Sequence, residues 1–402
     1  TMQTDLADFV KNTAQGREAD RILRSCVHCG FCNATCPTYQ LLGDELDGPR
    51  GRIYLMKQFL EGQQVSRKTL SHLDRCLTCR SCETTCPSGV EYHRLLEIGR
   101  DFVERTMRRP LADRLRRDLL LATVPRPDRL RPLLAVARGV RPLLPLPLAQ
   151  SVPAAAATAE WPASSHARSV LLLEGCVQSV SHPRINAAAA RVLDRLGVRA
   201  VPAAGCCGAL AHHMSRQERL RASLRRNVDA WSPLIEDGAE AILLTASGCA
   251  PTVQDYGRLL RDDPAYAERA ARLSELAIDI SEFIERQDLS ALRPDLATDR
   301  PIAFHAPCSL QHGLKRGGRV ETLLTGLGFR LTPVADAHLC CGSAGSYAVL
   351  QQGLSERLLA NKIRNLEAGD PALIATANIG CLMHMEKATD LAVRHWIELL
   401  DV

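Results

Sequence analysis

The sequence predicts an α-helical N-terminal domain followed by a duplicated α/β domain with two pseudo-symmetric lobes. Two observations lead to this fold class: one cysteine pattern occurs twice within the first ninety residues, and another occurs twice after residue 169. A chain of 402 residues has room for two or three domains. We expect a helical domain at residues 1–110, a basic linker rich in proline and alanine at 111–168, a first lobe at 169–290 and a second lobe at 300–402.

The first pattern, Cys-x2-Cys-x2-Cys-x3-Cys-Pro, has the spacing with which bacterial two-cluster ferredoxins bind paired [4Fe–4S] clusters. In such ferredoxins three closely spaced thiolates bind one cluster, and the remote fourth cysteine binds the other. The predicted ligands of cluster 1 are Cys26, Cys29, Cys32 and Cys86, and those of cluster 2 are Cys76, Cys79, Cys82 and Cys36. A zinc ribbon would instead need two cysteine pairs per metal. The domain is therefore expected to conduct single electrons.

The 39 residues between the two patterns indicate an α-helical ferredoxin domain, because minimal ferredoxins hold the patterns close together. One helical face is formed by Ile53, Met56, Phe59 and Leu60. Ser66 is a predicted N-cap for a second helix, which carries Leu70, Leu73 and Leu77. A Gly-Pro-Arg-Gly-Arg segment contains Arg50 and Arg52. Three roles are open for these arginines: they line a cluster, they contact a partner or they are ordinary surface residues.

Composition limits the functional classes. Sixteen cysteines in a long chain without an apparent export signal indicate metal binding rather than disulfides. No stretch approaches the roughly 18 apolar residues of a membrane span, so we expect a soluble or peripheral protein in a reducing compartment. Residues 100–141 hold twelve arginines and five acidic residues. This segment is rich in leucine and interrupted by prolines. It could lie on an anionic membrane surface, lie on a partner subunit or form a surface strap between two domains, and it matches no nucleic-acid-binding motif.

The second half contains an internal repeat. The cysteines of the first lobe are Cys176, Cys206, Cys207 and Cys249, and they recur 132 to 134 residues later as Cys308, Cys340, Cys341 and Cys381. Strands are predicted at residues 169–173, 198–201 and 241–245, and again at 301–304, 329–332 and 372–375. Strands that alternate with helices indicate a parallel sheet in each lobe. The cysteines would then meet at the carboxyl edge, where open α/β folds bind ligands.

Three roles remain open for these eight cysteines: an additional iron–sulfur cluster or zinc, redox-active thiols, or structural burial. The lobes differ chemically, because Thr252 follows Cys249 by three residues, whereas His384 follows Cys381 at the same distance. Other histidines near the second set are His305, His312 and His338. The second lobe is therefore the better predicted metal site.

Fingerprints of conventional catalysis are missing from the sequence. There is no G-x-G-x-x-G segment, P-loop or G-x-S-x-G elbow. We therefore assign no catalytic residue and no flavin or nucleotide site to this chain, and expect any oxidation of an organic substrate to begin on another subunit.

The repeated Cys…Cys-Cys-Gly…Cys pattern resembles the CCG (cysteine-rich) domain. Its fusion to a two-cluster helical ferredoxin resembles an electron-transfer family that includes heterodisulfide reductase subunits and lactate-utilisation proteins. Within that family, the chain specifically resembles the iron–sulfur subunits of bacterial glycolate oxidases (glycolate dehydrogenases). The resembling stretches are residues 26–32, 36–54, 73–79, 339–345, 376–381 and 394–398.

The resemblance implies a complex with FAD-containing flavoprotein subunits, on which glycolate is oxidised to glyoxylate. Electrons would then pass singly through the two clusters toward a membrane quinone, which implies a cytoplasmic chain that is peripheral on the inner face of the cell membrane. Some heterodisulfide reductases bind noncubane clusters with a pattern that ends Cys-x2-Cys, and Thr252 and His384 depart from it. The alternative is a heterodisulfide-reductase-like enzyme, whose own CCG lobes reduce a disulfide or a quinone.

Overall fold

The structure is a computed structural model, which describes residues 2–143, 152–154, 159–292 and 300–401. Residues 144–151 and 155–158 of the predicted linker, and residue 402 of the predicted second lobe, lie outside the described residues. The described chain forms a helical N-terminal region, two further helices, and two small parallel sheets surrounded by helices.

The N-terminal region is helical, as the sequence predicts. Its helices are α1 (Asp8–Lys11), α2 (Ala14–Ser25), α3 (Phe31–Ala34), α4 (Pro37–Leu42), α5 (Pro49–Leu60), α6 (Arg67–Asp74), α7 (Ser81–Thr85) and α8 (Tyr92–Thr106). Apolar residues at helical spacing on α2, α5 and α8 pack into one core, in which Ile22, Met56 and Leu95 have no exposed surface. The predicted apolar face of α5 is confirmed, because all four of its residues are buried.

Helix α6 begins as predicted and ends earlier than predicted. The Ser66 hydroxyl caps it by accepting a hydrogen bond from the Thr69 amide at 3.0 Å. The sequence also places Leu77 on this helix, and that prediction is wrong, because the helix ends at Asp74. The chain then turns through Thr78, whose φ of 53° is incompatible with a right-handed helix.

The segment predicted as a linker contains two helices, α9 (Leu111–Thr123) and α10 (Pro127–Val140). Pro127 opens α10, where its missing amide proton leaves no helical hydrogen bond unmade. Leu121 of α9 packs into the core of the first lobe. None of the helices within the described ranges combines the length and the apolar character that crossing a bilayer requires.

The first lobe is built on a parallel sheet with strand order β2-β1-β3-β4. The strands are β1 (Arg168–Leu173), β2 (Val198–Ala203), β3 (Ile242–Leu244) and β4 (Ala277–Asp279). The helices are α11 (Gln178–Ser181), α12 (Arg184–Arg195), α13 (Ala209–His213), α14 (Gln217–Glu236), α15 (Ala250–Val253), α16 (Tyr256–Leu259), α17 (Ala267–Leu276) and α18 (Ile280–Glu285). Strands β1 and β3 are buried along nearly their whole length, as near-continuous apolar strands of parallel sheets usually are.

The second lobe has a parallel sheet with strand order β5-β6-β7. The strands are β5 (Ile302–His305), β6 (Leu373–Thr376) and β7 (Ala392–His395), and the helices are α19 (Arg319–Gly326), α20 (Tyr347–Leu350), α21 (Gln352–Glu367) and α22 (Ile379–Met385). The strand predicted at residues 329–332 is reduced to a single parallel bridge between Leu331 and Ile302. Pro333 follows directly and has no amide proton with which to continue the pairing.

The two lobes share one apolar core, to which Leu172 and Leu243 contribute from the first lobe and Phe304 and Ile374 from the second. Their sheets also meet at the carboxyl edge. The Ser247 amide donates to the Ala377 carbonyl at 3.1 Å, and the Gly248 amide donates to Asn378 Oδ1 at 3.2 Å. These loops directly precede Cys249 and Cys381, so the fold brings the cysteine-bearing ends of both lobes toward each other.

Candidate iron–sulfur and thiol sites

The two ferredoxin-type cysteine loops share one backbone conformation. In each loop the second and fourth residues after the first cysteine have positive φ: His28 (53°) and Gly30 (84°) in one, Thr78 (53°) and Arg80 (63°) in the other. Gly30 is suited to this conformation, and a Cβ there would lie only 2.6 Å from Arg50 Nη1. The two copies of the sequence pattern therefore fold in the same way, although the second copy holds a non-glycine residue at the fourth position.

The first loop borders an open cavity of about 430 Å³. All four predicted ligands of cluster 1 line it, together with Cys82 and several apolar residues. Cys29 is exposed, and the adjacent Phe31 is 59% exposed, so this cavity lies at the protein surface. Burial raises the pKa of Cys32 to about 12.

The second loop borders a cavity of about 300 Å³, which is lined by Cys36, Cys76, Cys79 and Cys82. These are the four predicted ligands of cluster 2. Burial raises the pKa of Cys79 and of Cys82 well above the usual range of a thiol. Because Cys82 lines both cavities, the two sites are immediate neighbours.

A buried cation lies beside the second cavity. The side chain of Arg52 is only 1% exposed, and it donates from Nε to the His72 carbonyl at 2.7 Å and from Nη2 to Thr38 Oγ1 at 3.1 Å. Asp47 lies 3.6 Å from Arg52 and also forms an ion pair with Arg75 at 2.8 Å. Two arginines therefore face one carboxylate, and a positive charge remains next to the cysteines.

Two side chains that the sequence did not single out contact sulfur atoms at the second cavity. Thr38 Oγ1 lies 3.3 Å from Cys36 Sγ, and Tyr92 Oη lies 3.6 Å from Cys76 Sγ. Thr38 stands directly after the Cys-Pro ending of the first pattern, which is the only signal in the sequence that could have indicated it. Nothing in the sequence placed Tyr92 there. Arg50 lines the first cavity and Arg52 the second, which agrees with the first of the roles that the sequence left open.

In the first lobe, the structure brings the predicted cysteines together as a compact thiol group. Cys176 Sγ lies 3.4 Å from Cys206 Sγ. Hydrogen bonds from Cys176 and Cys207 lower the pKa of Cys206. The same hydrogen bonds, together with burial, raise the pKa of Cys176 and of Cys207. The arrangement favours a thiolate at Cys206 that accepts hydrogen bonds from the thiols of Cys176 and Cys207. Cys249 belongs to the same group, because its hydrogen bond contributes to the raised pKa of Cys207.

In the second lobe, Cys308 Sγ lies 3.9 Å from Cys340 Sγ. The ligand atoms of His305, Cys341 and Cys381 all lie within 4.8 Å of one another, and all three residues are buried. Burial lowers the pKa of His305 to about 3, so this imidazole is neutral, as a metal ligand must be. Asn378 Nδ2 donates to Cys381 Sγ at 3.4 Å.

The other histidines of the second lobe make different contacts. His384 lies on α22, the helix that also carries Cys381. Its Nε2 lies 3.1 Å from Oγ of Ser355, which belongs to α21. His312 Nδ1 pairs with Thr84 Oγ1 of the helical region at 2.9 Å, and its Nε2 donates to the His338 carbonyl at 3.0 Å. The structure thus groups His305 with the cysteines and uses His312 to join two parts of the chain.

The second cavity of the helical region adjoins the thiols of the second lobe. Leu77, Cys340, Tyr347 and Leu358 form one buried cluster, against which Cys79 and Cys308 pack. The helical region contacts the first lobe differently, through charged groups: Arg94 binds Asp255 with two hydrogen bonds of 2.7 and 2.8 Å, and Glu97 binds His212 at 2.8 Å.

Two family models match the chain. Residues 22–90 match the 4Fe-4S dicluster domain, and residues 170–254 and 302–386 each match the cysteine-rich domain. The first match covers both ferredoxin-type loops, and the other two each contain four of the remaining cysteines.

The chain is also similar to named proteins. It is 54% identical over 403 aligned residues to the "Glycolate oxidase iron-sulfur subunit" of Escherichia coli (strain K12), which covers 100% of this chain and 98% of the relative. It is 29% identical to the "Probable glycolate oxidase iron-sulfur subunit" of Bacillus subtilis (strain 168), over 94% of this chain and 91% of the relative. "Lactate utilization protein A" of Shouchella clausii is 25% identical over 58% of this chain. With more than half of its residues identical to a relative that it matches from end to end, the chain belongs to the family of glycolate oxidase iron–sulfur subunits.

Proposed function

We propose that the chain is the electron-transfer subunit of a glycolate dehydrogenase complex. It accepts single electrons from the FAD of a partner flavoprotein, on which glycolate becomes glyoxylate, and passes them toward a membrane quinone. The observation that carries this proposal is the pair of neighbouring cavities, each lined by the four cysteines predicted for one cluster. The full-length similarity to a "Glycolate oxidase iron-sulfur subunit" supports the choice of substrate.

The two cysteine sets fit [4Fe–4S] clusters in their chemistry. Cys26, Cys29, Cys32 and Cys86 would hold cluster 1, and Cys36, Cys76, Cys79 and Cys82 would hold cluster 2. Burial raises the pKa of several of these thiols, so their thiolates need a nearby positive charge. Iron supplies that charge, and each cluster, when bound, accepts and releases one electron at a time.

The surroundings of the two cavities support a direction for the electrons. The first cavity lies at the surface beside the exposed Cys29 and Phe31, where a partner flavoprotein could approach. The second cavity is deeper, and it adjoins the buried Cys308 and Cys340 of the second lobe. Cluster 1 is therefore the entry point, and cluster 2 lies on the exit side.

We further propose that the two CCG lobes are pseudo-symmetric and that the second lobe holds an additional iron–sulfur cluster or a zinc ion. The bridge from Leu331 to β5 would complete a strand order equivalent to that of the first lobe. The close grouping of His305, Cys341 and Cys381 supports the metal site. Cys308, Cys340 and His384 remain candidate ligands nearby.

A second function is favoured by one observation, the 3.4 Å separation of Cys176 Sγ and Cys206 Sγ. These thiols could form a disulfide by releasing two electrons and two protons to a bound disulfide or quinone. In that case the first lobe would itself be a reductase.

Anaerobic protein assayed with and without its flavoprotein partner separates the two functions. Glycolate should bleach the cluster absorbance only when the partner is present. Reduction of a disulfide by the chemically reduced chain alone would favour the second function, and loss of that activity in Cys206→Ser would assign it to the first lobe. Reduction of a quinone follows from either function, so it favours the second one only if Cys206→Ser abolishes it. Iron and zinc analysis tests the third site: about eight irons per chain without zinc indicate two clusters alone, about eight irons with one zinc indicate a zinc site, and about twelve irons indicate a further cluster.

A further inference from the structure

The surface of the segment at residues 108–143, here called the hairpin, is unusually apolar. Seven of the twelve large apolar side chains that are exposed in the described part of the chain belong to it. On α9, Leu111, Leu115 and Leu119 are spaced four residues apart and form one exposed stripe, with Leu119 64% exposed. The other four are Leu133, Val136, Val140 and Leu143.

The opposite side of the hairpin is already packed against the protein. The side chain of Arg117 is 8% exposed and forms ion pairs of 3.1 Å with both Asp74 and Asp113. Leu121 lies in the core of the first lobe, and Leu130 of α10 is buried as well. The exposed leucines and valines therefore lie apart from this packed side, and no described residue of the chain buries them.

The same surface is strongly basic. Residues 108–143 contain ten arginines and three aspartates, a surplus of seven positive charges. Six arginines are exposed and form no ion pair with an acidic residue in the described ranges: Arg108, Arg114, Arg116, Arg126, Arg129 and Arg131. Arg114 and Arg116 lie on either side of Leu115, so the apolar stripe has a positive charge on each flank.

We propose that the hairpin docks on an anionic membrane surface. Its leucines and valines enter the boundary between headgroups and acyl chains, and its arginines bind the lipid phosphates. Charge complementarity and composition favour lipid over a protein partner. The segment contains no aromatic residue, whereas the energetically dominant residues of protein interfaces are enriched in tryptophan and tyrosine, with leucine and valine under-represented.

Docking in this orientation would serve electron delivery. Arg117, on the inner side of α9, lines the same cavity as Cys76, a predicted ligand of cluster 2. The hairpin would thus bring the exit side of the electron path next to the membrane, where a quinone is found. This last step rests on the proposed function, whereas the docking itself does not.

Vesicle flotation of the full-length, cluster-loaded chain tests the docking. We expect it to float with vesicles that contain phosphatidylglycerol, to float poorly with pure phosphatidylcholine, and to be released by high salt. Arg114→Gln/Arg116→Gln should weaken binding roughly thirty-fold, the loss expected for two arginines at an anionic surface. Leu115→Gln/Leu119→Gln should weaken it by at least roughly tenfold.

The control is Arg221→Gln/Val349→Gln, which removes one exposed arginine and one exposed apolar side chain outside the hairpin and should bind like the parent. Iron content and thermal unfolding of each variant establish that it is folded. The proposal is overturned if the parent does not float, or if the hairpin variants float as well as the parent. Hairpin variants that float normally but no longer co-purify with the flavoprotein would assign the surface to that partner. Because the vesicles contain no quinone and the assay no glycolate, either result leaves the proposed function to be judged separately.

Discussion

Replacing Arg52 with glutamine should lower the reduction potential of cluster 2. Arg52 is a buried cation beside the cysteines of the second cavity. Reduction adds a negative charge to a cluster, and a nearby positive charge stabilises the reduced state, so removing that charge lowers the potential. The substitution does not leave Asp47 unpaired, because Asp47 keeps its 2.8 Å ion pair with Arg75.

The structure allows the size of the effect to be estimated. Arg52 Nη2 lies 3.1 Å from Thr38 Oγ1, which lies 3.3 Å from Cys36 Sγ, so the guanidinium is within about 6.4 Å of that sulfur. At this separation and an effective dielectric constant of about 20, two unit charges interact by about 2.6 kcal/mol. For a one-electron couple, this energy corresponds to about 110 mV. Because the added electron is spread over the whole cluster, we expect a decrease of roughly 50–100 mV.

An EPR-monitored redox titration of the anaerobic chain measures this shift. One of the two cluster signals should move to lower potential in Arg52→Gln, and the other should stay close to its parental value. Arg52→Lys keeps the charge and should show less than half of the shift. If both potentials are unchanged in Arg52→Gln while both signals remain intact, the buried arginine does not act electrostatically on cluster 2, and the reasoning is refuted.

Three further predictions concern ligation, domain contact and pH. Cys36→Ser should alter the EPR signal whose potential responds to Arg52, whereas Cys86→Ser should alter the other signal; the reverse result would contradict the exchanged ligation. Arg94→Ala removes the hydrogen bonds of 2.7 and 2.8 Å to Asp255, which keeps its 2.6 Å ion pair with Arg258, and should lower the free energy of unfolding by roughly 2 kcal/mol in chemical denaturation. The exposed ion pair of Arg24 provides the control, since Arg24→Ala should cost less than about 1 kcal/mol. Burial lowers the pKa of His395 to about 4, below the value of about 6.5 expected in the unfolded chain. The unfolded state therefore binds the proton first as pH falls, and stability should decrease between about pH 6.5 and pH 4. His395→Gln should flatten this part of the stability curve, and an unchanged pH dependence in that variant would show that other groups dominate it.

The pH prediction has a clear structural origin. His395 has no exposed surface, its Nε2 donates to the Thr245 carbonyl at 2.9 Å, and its Nδ1 accepts from the Ile397 amide at 3.3 Å. A ring nitrogen that accepts a hydrogen bond must be unprotonated, so this geometry requires the neutral imidazole.

Much of the fold could be predicted because local patterns were strong. The apolar face of α5 follows a helical period, and Ser66 provides a side-chain cap, so both features were expected correctly. Two predictions were wrong, the end of α6 and the strand at residues 329–332, because a backbone constraint nearby outweighed the apolar pattern. Leu77 continues the helical period of α6, but the positive φ of Thr78 in the cysteine loop ends any helix there. Residues 329–332 are apolar enough for a strand, but Pro333 limits the pairing to one bridge.

The sequence by itself determined which cysteines lie together, because the two copies of one spacing predict the two sets of four that the structure places around two cavities. It also determined the duplication of the second half and the family to which the chain belongs. Only the tertiary structure decided what surrounds those cysteines. Arg52 and Tyr92 line the second cavity from distant parts of the chain, and Cys308 packs with Cys79 against the cluster beside it. The outward leucines of α9 become a distinct face only because Arg117 and Leu121 occupy the inner one. Contacts between remote segments depend on packing, which leaves no regular period in the sequence.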